Sequence, residues 1–139
     1  MARTTFNGPV ASQNGFIGGH QVSAGNAVNA TATATAAQVA TGYITSTSAA
    51  ATTITLPTGT ALGAEIGATK GTVLDLYIDN TAGANTVTIA VNTNAVLSTA
   101  AVDTAASFGD LTVAAGATGL ARYTIMFSSA TAYAFTRTA

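Results

Sequence analysis

Two runs in which apolar and polar residues alternate constrain the fold of this chain more than any other feature. They cover residues 71–79 and 86–91, and residues 80–85 between them are Asn, Thr, Ala and Gly. A period of two is typical of β-strands, and two such runs around a short loop predict a β-hairpin. Its apolar face needs a cover, so we expect a second sheet across it. The expected core residues of the hairpin are Leu74, Leu76, Ile78, Val87 and Ile89, and its opposite face carries Asp75, Tyr77 and Asp79.

Further alternating runs bring the expected number of short strands to about seven or eight. Residues 120–127 form the clearest of these, with one face made of Ala121, Tyr123, Ile125 and Phe127. Residues 38–47 predict another strand, on which Val39, Thr41 and Tyr43 alternate. The one expected helix is residues 60–66, where two apolar residues are spaced i,i+4 and glycines keep it short. Short strands separated by turn signals are typical of an all-β sandwich, jelly roll or barrel.

Residues 1–35 differ from the rest of the chain. Turn-forming pairs such as Gly8-Pro9 interrupt them, and their large apolar residues follow no sustained period. Phe6, Phe16 and Ile17 would each contribute about 1.5–3 kcal/mol on full burial, which favours an extended N-terminal arm on another surface over a disordered tail. The predicted organisation is therefore an arm at residues 1–35 and a β-sandwich domain at residues 36–139.

The chain carries unusually few charges. Only 6% of its residues are charged, where a typical soluble domain has about 25%. Because charged residues are depleted from the cores of interfaces, we expect partner subunits to cover part of the surface, as in a homo-oligomer. A net charge of -1 without a basic run argues against a nucleic-acid partner. No apolar run approaches the roughly 20 residues of a membrane span, and the N-terminus lacks a signal-peptide core, which predicts a cytoplasmic product without a membrane partner.

Few residues offer catalytic or metal-binding chemistry. His20 is the only histidine and there is no cysteine. A nucleophilic serine or threonine would therefore have few side chains able to act as its general base. Asp75 and Asp79 share a strand face but lie about 13 Å apart, wider than a metal or an acid pair usually needs. Asp103 and Asp110 have no EF-hand-like spacing. We therefore expect no enzyme activity, no catalytic residue, no metal and no cofactor.

Three stretches resemble a known family: ITLPTG from Ile54, the alternating region of residues 71–91, and LTVAAGATGLARYTIMF from Leu111. They are similar to the capsid decoration (cement) proteins and related small β-rich head proteins of tailed bacteriophages. The resemblance implies a jelly-roll-like sandwich, usually trimeric, that binds the major capsid protein on the outer surface of the virion. It also implies that the chain stabilises an icosahedral shell, is assembled in the host cytoplasm and has no catalytic residues. Residues 99–106 are longer than the family's pattern.

Two other functions remain as alternatives to a structural role. A receptor- or glycan-binding knob of a phage head fibre or tail should present clustered aromatic residues in loops. All four tyrosines lie instead on predicted strands: Tyr43, Tyr77, Tyr123 and Tyr133. An enzyme lacks the expected base and nucleophile. The residues predicted at an interface are Phe6, Phe16, Ile17 and Tyr77.

Overall fold

The computed structural model describes residues 26–47, 49–97 and 111–138, and these form a β-rich fold of two sheets with two helices and one 3-10 turn, Gly116–Thr118. The elements in chain order are β1 Ala32–Thr33, α1 Ala36–Ala40, β2 Tyr43–Thr45, β3 Thr52–Thr55, α2 Gly59–Ile66, β4 Val73–Asp79, β5 Val87–Ala90, β6 Ala95–Leu97, β7 Thr112–Val113, β8 Leu120–Ser129 and β9 Ala132–Arg137.

Both sheets mix parallel and antiparallel strands. The four-stranded sheet has the order β1-β3-β5-β7, and the five-stranded sheet has the order β2-β4-β8-β9-β6. The pairs β1–β3, β3–β5, β2–β4 and β6–β9 are parallel, and the other neighbours are antiparallel. The expected β-rich fold is confirmed, with its strands in two sheets. The jelly-roll connectivity is not confirmed, because a jelly roll is an antiparallel architecture.

The predicted hairpin at residues 71–91 is wrong, although four of its five expected core residues are buried. Strands β4 and β5 belong to different sheets, so the loop between them crosses the sandwich. Alternation fixes which face of a strand is buried but not which strand pairs with it. Leu76, Ile78, Val87 and Ile89 are buried in one core cluster to which both sheets contribute. Leu74, expected in the core, is only partly buried and packs against its edge.

Residues 38–47 begin as a helix and not as the predicted strand. Thr35 and Gln38 form a capping box at the start of α1, in which each side chain bonds the backbone N–H of the other. Val39 is the residue of this helix whose side chain is buried. In β2 the buried residue is Ile44, whereas Tyr43 faces outward. The predicted strand is therefore wrong at its start, where α1 lies, and right at its end, where β2 lies.

Helix α2 confirms the predicted helix and approaches the β8–β9 turn closely. Thr58 caps its first turn and Gly67 ends it in the left-handed conformation. Gly59 and Gly63 face the turn, and a Cβ at Gly63 would lie 1.9 Å from the carbonyl oxygen of Ala130. These glycines therefore allow backbone contact between helix and sheet.

The aromatic face predicted for β8 is confirmed, and β9 adds a second one beside it. The buried aromatic residues of the two strands are Tyr123, Phe127, Tyr133 and Phe135. The ring of Tyr123 lies 6.0 Å from that of Phe135. The hydroxyl of Tyr133 donates to the carbonyl of Pro57 at 2.7 Å, and burial raises the pKa of Tyr133 above its usual range.

The domain already includes residues 26–35, which the sequence places in the arm. Val28 and Ala34 belong to the core, and Ala27 bridges Thr45 at the β2 edge of the five-stranded sheet. The Asn26 side chain donates to the carbonyls of Gln38 and Tyr43. Residues 1–25 lie outside the described residues, so the arm stays a prediction for that part.

Candidate functional site

The outward-facing side of the five-stranded sheet, called here the outer face, is the most distinctive surface of the described residues. Four of its side chains form one row across β4, β8, β9 and β6, because the strand registers align Val73 with Met126, Met126 with Ala134, and Ala134 with Val96. Val73, Met126 and Val96 are 56%, 54% and 59% exposed. We call Val73, Met126, Ala134 and Val96 the apolar row.

A shallow groove of about 220 Å³ lies at the centre of the apolar row. It exists because β9 presents the small side chain of Ala134 between larger neighbours. Its lining includes Thr124, Met126, Ser128, Ala134 and Thr136. Pockets for drug-sized ligands measure roughly 300–1,000 Å³, so this groove fits a single side chain better than a ligand.

The opposite end of the outer face carries Tyr77 and Leu120. Tyr77 lies between Tyr43 of β2 and Arg122 of β8 in the strand register and is 38% exposed. Leu120 is 52% exposed and aligns with Asp79. The structure thus places Tyr77 outward, as the sequence predicts, and its role at an interface stays a prediction.

The two carboxylates of the outer face are already hydrogen-bonded within the protein. Asp79 accepts from the hydroxyls of Thr81 at 2.6 Å and Tyr43 at 2.5 Å. These bonds lower the pKa of Asp79, and the bond from Thr81 has the larger effect. The bond to Asp79 in turn raises the pKa of Tyr43. Asp75 accepts from the hydroxyl of Thr124 at 2.7 Å. Hydroxyl donors thus occupy carboxylate oxygens that a partner would otherwise meet.

The other predicted site residues lie outside the described part of the chain. They are Phe6, Phe16 and Ile17, together with His20 and the carboxylates Asp103 and Asp110. Among the residues described, no group of three or more His, Cys, Asp or Glu side chains could hold a metal ion. Within the same residues, no helix is long and apolar enough to cross a membrane.

Sequence reasoning missed the apolar row. Its signal was visible in part: Met126 lies between Ile125 and Phe127, so all three residues are large and apolar where alternation calls for a polar one. The row itself required the strand order and register, which local patterns do not contain.

Comparisons with protein-family models, with curated proteins and with solved structures found no match to this chain.

Proposed function

We propose that the protein is a structural virion protein that decorates and stabilises an icosahedral phage capsid and catalyses no reaction. In this role it binds the major capsid protein on the outer surface of the particle, as a homo-oligomer and most simply a trimer. The proposal rests on the sequence resemblance together with one structural observation, the exposed apolar side chains of the outer face. The jelly-roll connectivity that the resemblance implies stays a prediction.

The size of the outer face supports a role in assembly. Five strands about 4.8 Å apart, with up to seven residues of about 3.3 Å each, give a face of roughly 500 Å². Exposed apolar patches of a few hundred Å² often mark interaction sites. A stable interface buries about 800 Å² on each partner, and the outer face also carries Asp75, Asp79 and Arg122, so it supplies only part of one interface. A protomer that contacts both its neighbours and a shell would use it together with further surface.

The aromatic residues favour docking over glycan recognition. Four of the six in the described part of the chain are buried: Tyr123, Phe127, Tyr133 and Phe135. The hydroxyl of Tyr43 is bonded to Asp79. Tyr77 remains as the exposed aromatic ring of these residues, and a single ring on a sheet is a small platform for a sugar.

Co-sedimentation with capsids tests the proposal. The capsids are assembled from the major capsid protein of the phage that the proposal implies, and the chain is added at micromolar concentration. We expect saturable binding, and at least about a tenfold loss of affinity when Tyr77→Ala and Leu120→Ser together remove two anchor side chains. The matched control is Val91→Ser, because Val91 is 47% exposed just after β5 of the other sheet. Absence of binding by the unmodified chain refutes the function, and equal losses in both variants refute the role of the outer face.

A further inference from the structure

The apolar row is a surface without a cover among the described residues, and the chain itself supplies a candidate cover. Residues 1–25 precede the described domain and contain Phe6, Phe16 and Ile17. We propose that this segment folds back over the part of its own outer face that carries the apolar row, leaving the end with Tyr77 and Leu120 open, and places Phe16 and Ile17 on the apolar row, with one of them in the groove at Ala134. The proposal does not depend on the proposed function.

The segment enters the domain at the β2 edge of the five-stranded sheet, the sheet that carries the apolar row. Asn26 and Val28 bond the backbone of Thr45, which makes residues 26–28 the outermost piece of the five-stranded sheet, beside β2. They run parallel to β2, and β2 runs parallel to β4. The chain before Asn26 therefore arrives from the end of the sheet at which β4 begins, and that is the end where the apolar row lies.

The distance to be covered is within reach. Thr45 aligns with Asp79 and Val73 begins the same strand, so Asn26 and the row are roughly 17 Å apart along the strands. The groove lies between β8 and β9, about three to four strand spacings from residue 26, or roughly 17 Å across. The diagonal is about 25 Å, and ten residues between Phe16 and Asn26 span at most about 33–36 Å.

The chemistry of the two surfaces also matches. The row is apolar, its groove has the size of one side chain, and the two carboxylates of the face are bonded to hydroxyl groups. The segment offers large apolar residues and a single charged side chain, Arg3. Because a short tether gives an effective concentration in the millimolar range, the chain's own segment outcompetes that of a neighbouring copy at micromolar protein.

Oxidation of Met126 reports whether the row is covered. The chain has two methionines, Met1 and Met126, so peptide mass spectrometry after dilute peroxide follows one sulfur on the row. Met126 should oxidise at least about threefold faster in the double variant Phe16→Ala/Ile17→Ala than in the unmodified chain, because sulfur oxidation follows exposure. The control Ile66→Ala weakens the domain from α2, off the outer face. A rate in the double variant no higher than in the control overturns the proposal.

Disulfide trapping identifies the source of the cover. The chain has no cysteine, so Phe16→Cys with Ala134→Cys forms a bond only where the two Cβ atoms approach within about 4.5 Å. We expect a monomer with an internal disulfide on a non-reducing gel, formed faster than in the control pair Phe16→Cys with Thr88→Cys on the other sheet. A covalent dimer as the main product assigns the cover to a neighbouring copy and overturns the proposal, as does equal trapping in both pairs. Ser128→Cys at the rim of the groove replaces Ala134→Cys if that variant does not fold.

Discussion

Asn80 holds the crossing between the two sheets, and its replacement should cost much more stability than that of an exposed asparagine. Its side chain is fully buried. The amide nitrogen lies 2.8 Å from the carbonyl of Asn85, 2.9 Å from that of Ala114 and 3.3 Å from that of Val113. The side chain therefore joins the loop after β4 to the segment after β7.

The expected cost of Asn80→Ala follows from these bonds. The amide has two hydrogens for three carbonyls, so about two bonds are lost, and a buried acceptor left without a donor costs about 1–3 kcal/mol. Ala114 is exposed, so water replaces part of its bond. The side-chain oxygen accepts no hydrogen bond in the described part of the chain, so its loss adds nothing. The sum is about 2–4 kcal/mol, a large share of the roughly 5–15 kcal/mol that stabilises a domain.

Urea unfolding at neutral pH measures this loss. Asn29→Ala is the matched control, because the exposed Asn29 makes one bond, from the backbone N–H of Thr47 at 2.8 Å. We expect a loss of under about 1 kcal/mol for the control. Equal losses for the two variants would refute the reasoning that burial and bond number at the crossing decide the cost.

Asn80→Asp separates the effect of charge from that of shape. A carboxylate of the same shape would face three carbonyl oxygens, which favours its protonated form and raises its pKa above the unfolded value of about 3.9. A carboxyl group with a raised folded pKa destabilises the protein above its unfolded pKa, so the variant should regain stability as the pH falls toward that value. A stability difference from the unmodified chain that does not change with pH would contradict this account.

Four further predictions concern the core, the helix contact, the carboxylate of β4 and assembly. Leu76→Ala should cost about 2–5 kcal/mol in thermal melts, and Tyr77→Ala on the outer face much less; equal losses would mean that both faces are buried in one subunit. Gly63→Ala should destabilise α2 against the β8–β9 turn because its Cβ would lie 1.9 Å from a backbone oxygen, and circular dichroism melts check it. The pKa of Asp79 is lowered, so its stabilisation is present above about pH 3.9 and lost as the pH falls through the folded value; Tyr43→Phe should show a smaller loss over that range. Sedimentation at micromolar concentration should show an oligomer, and a clean monomer would count against the proposed trimer.

The sequence allowed the buried faces to be predicted wherever strands alternate cleanly. The inward residues of β8 and the apolar residues of β5 are buried as expected. This success has a local cause, since the side-chain period of a strand depends only on its own backbone. The helix at α2 was predicted for a similar reason, because its apolar spacing and its terminal glycine lie within one short segment.

Strand pairing could not be predicted because it depends on contacts distant in sequence. The loop after β4 looks like a hairpin turn, yet it crosses to the other sheet, where β5 pairs in parallel with β3. The available signal was Asn80, whose side chain can bond backbone carbonyls in place of a turn. Two of its three partners, Val113 and Ala114, lie in one segment distant in sequence and cannot be inferred locally. At α1 a real signal was missed: Thr35 and Gln38 have the spacing of a capping box.

The hydrogen bonds of the polar side chains help to explain why a surface with few charges should be covered. The sequence favours coverage by partner subunits over a surface that Thr, Ser and Asn hydrate. Several of these side chains direct their donors into the protein: Asn92 donates to the carbonyl of Leu56, Asn85 to that of Ala49, and Thr124 to Asp75. A donor bonded inside the protein is no longer available to water, so these residues hydrate the surface less than their number suggests. On the outer face, the apolar row gives up no polar hydration on burial, whereas the carboxylates of Asp75 and Asp79 stay costly to bury despite their hydroxyl donors. A cover over the apolar row is therefore favoured, whether that cover is the chain's own first residues or a neighbouring subunit.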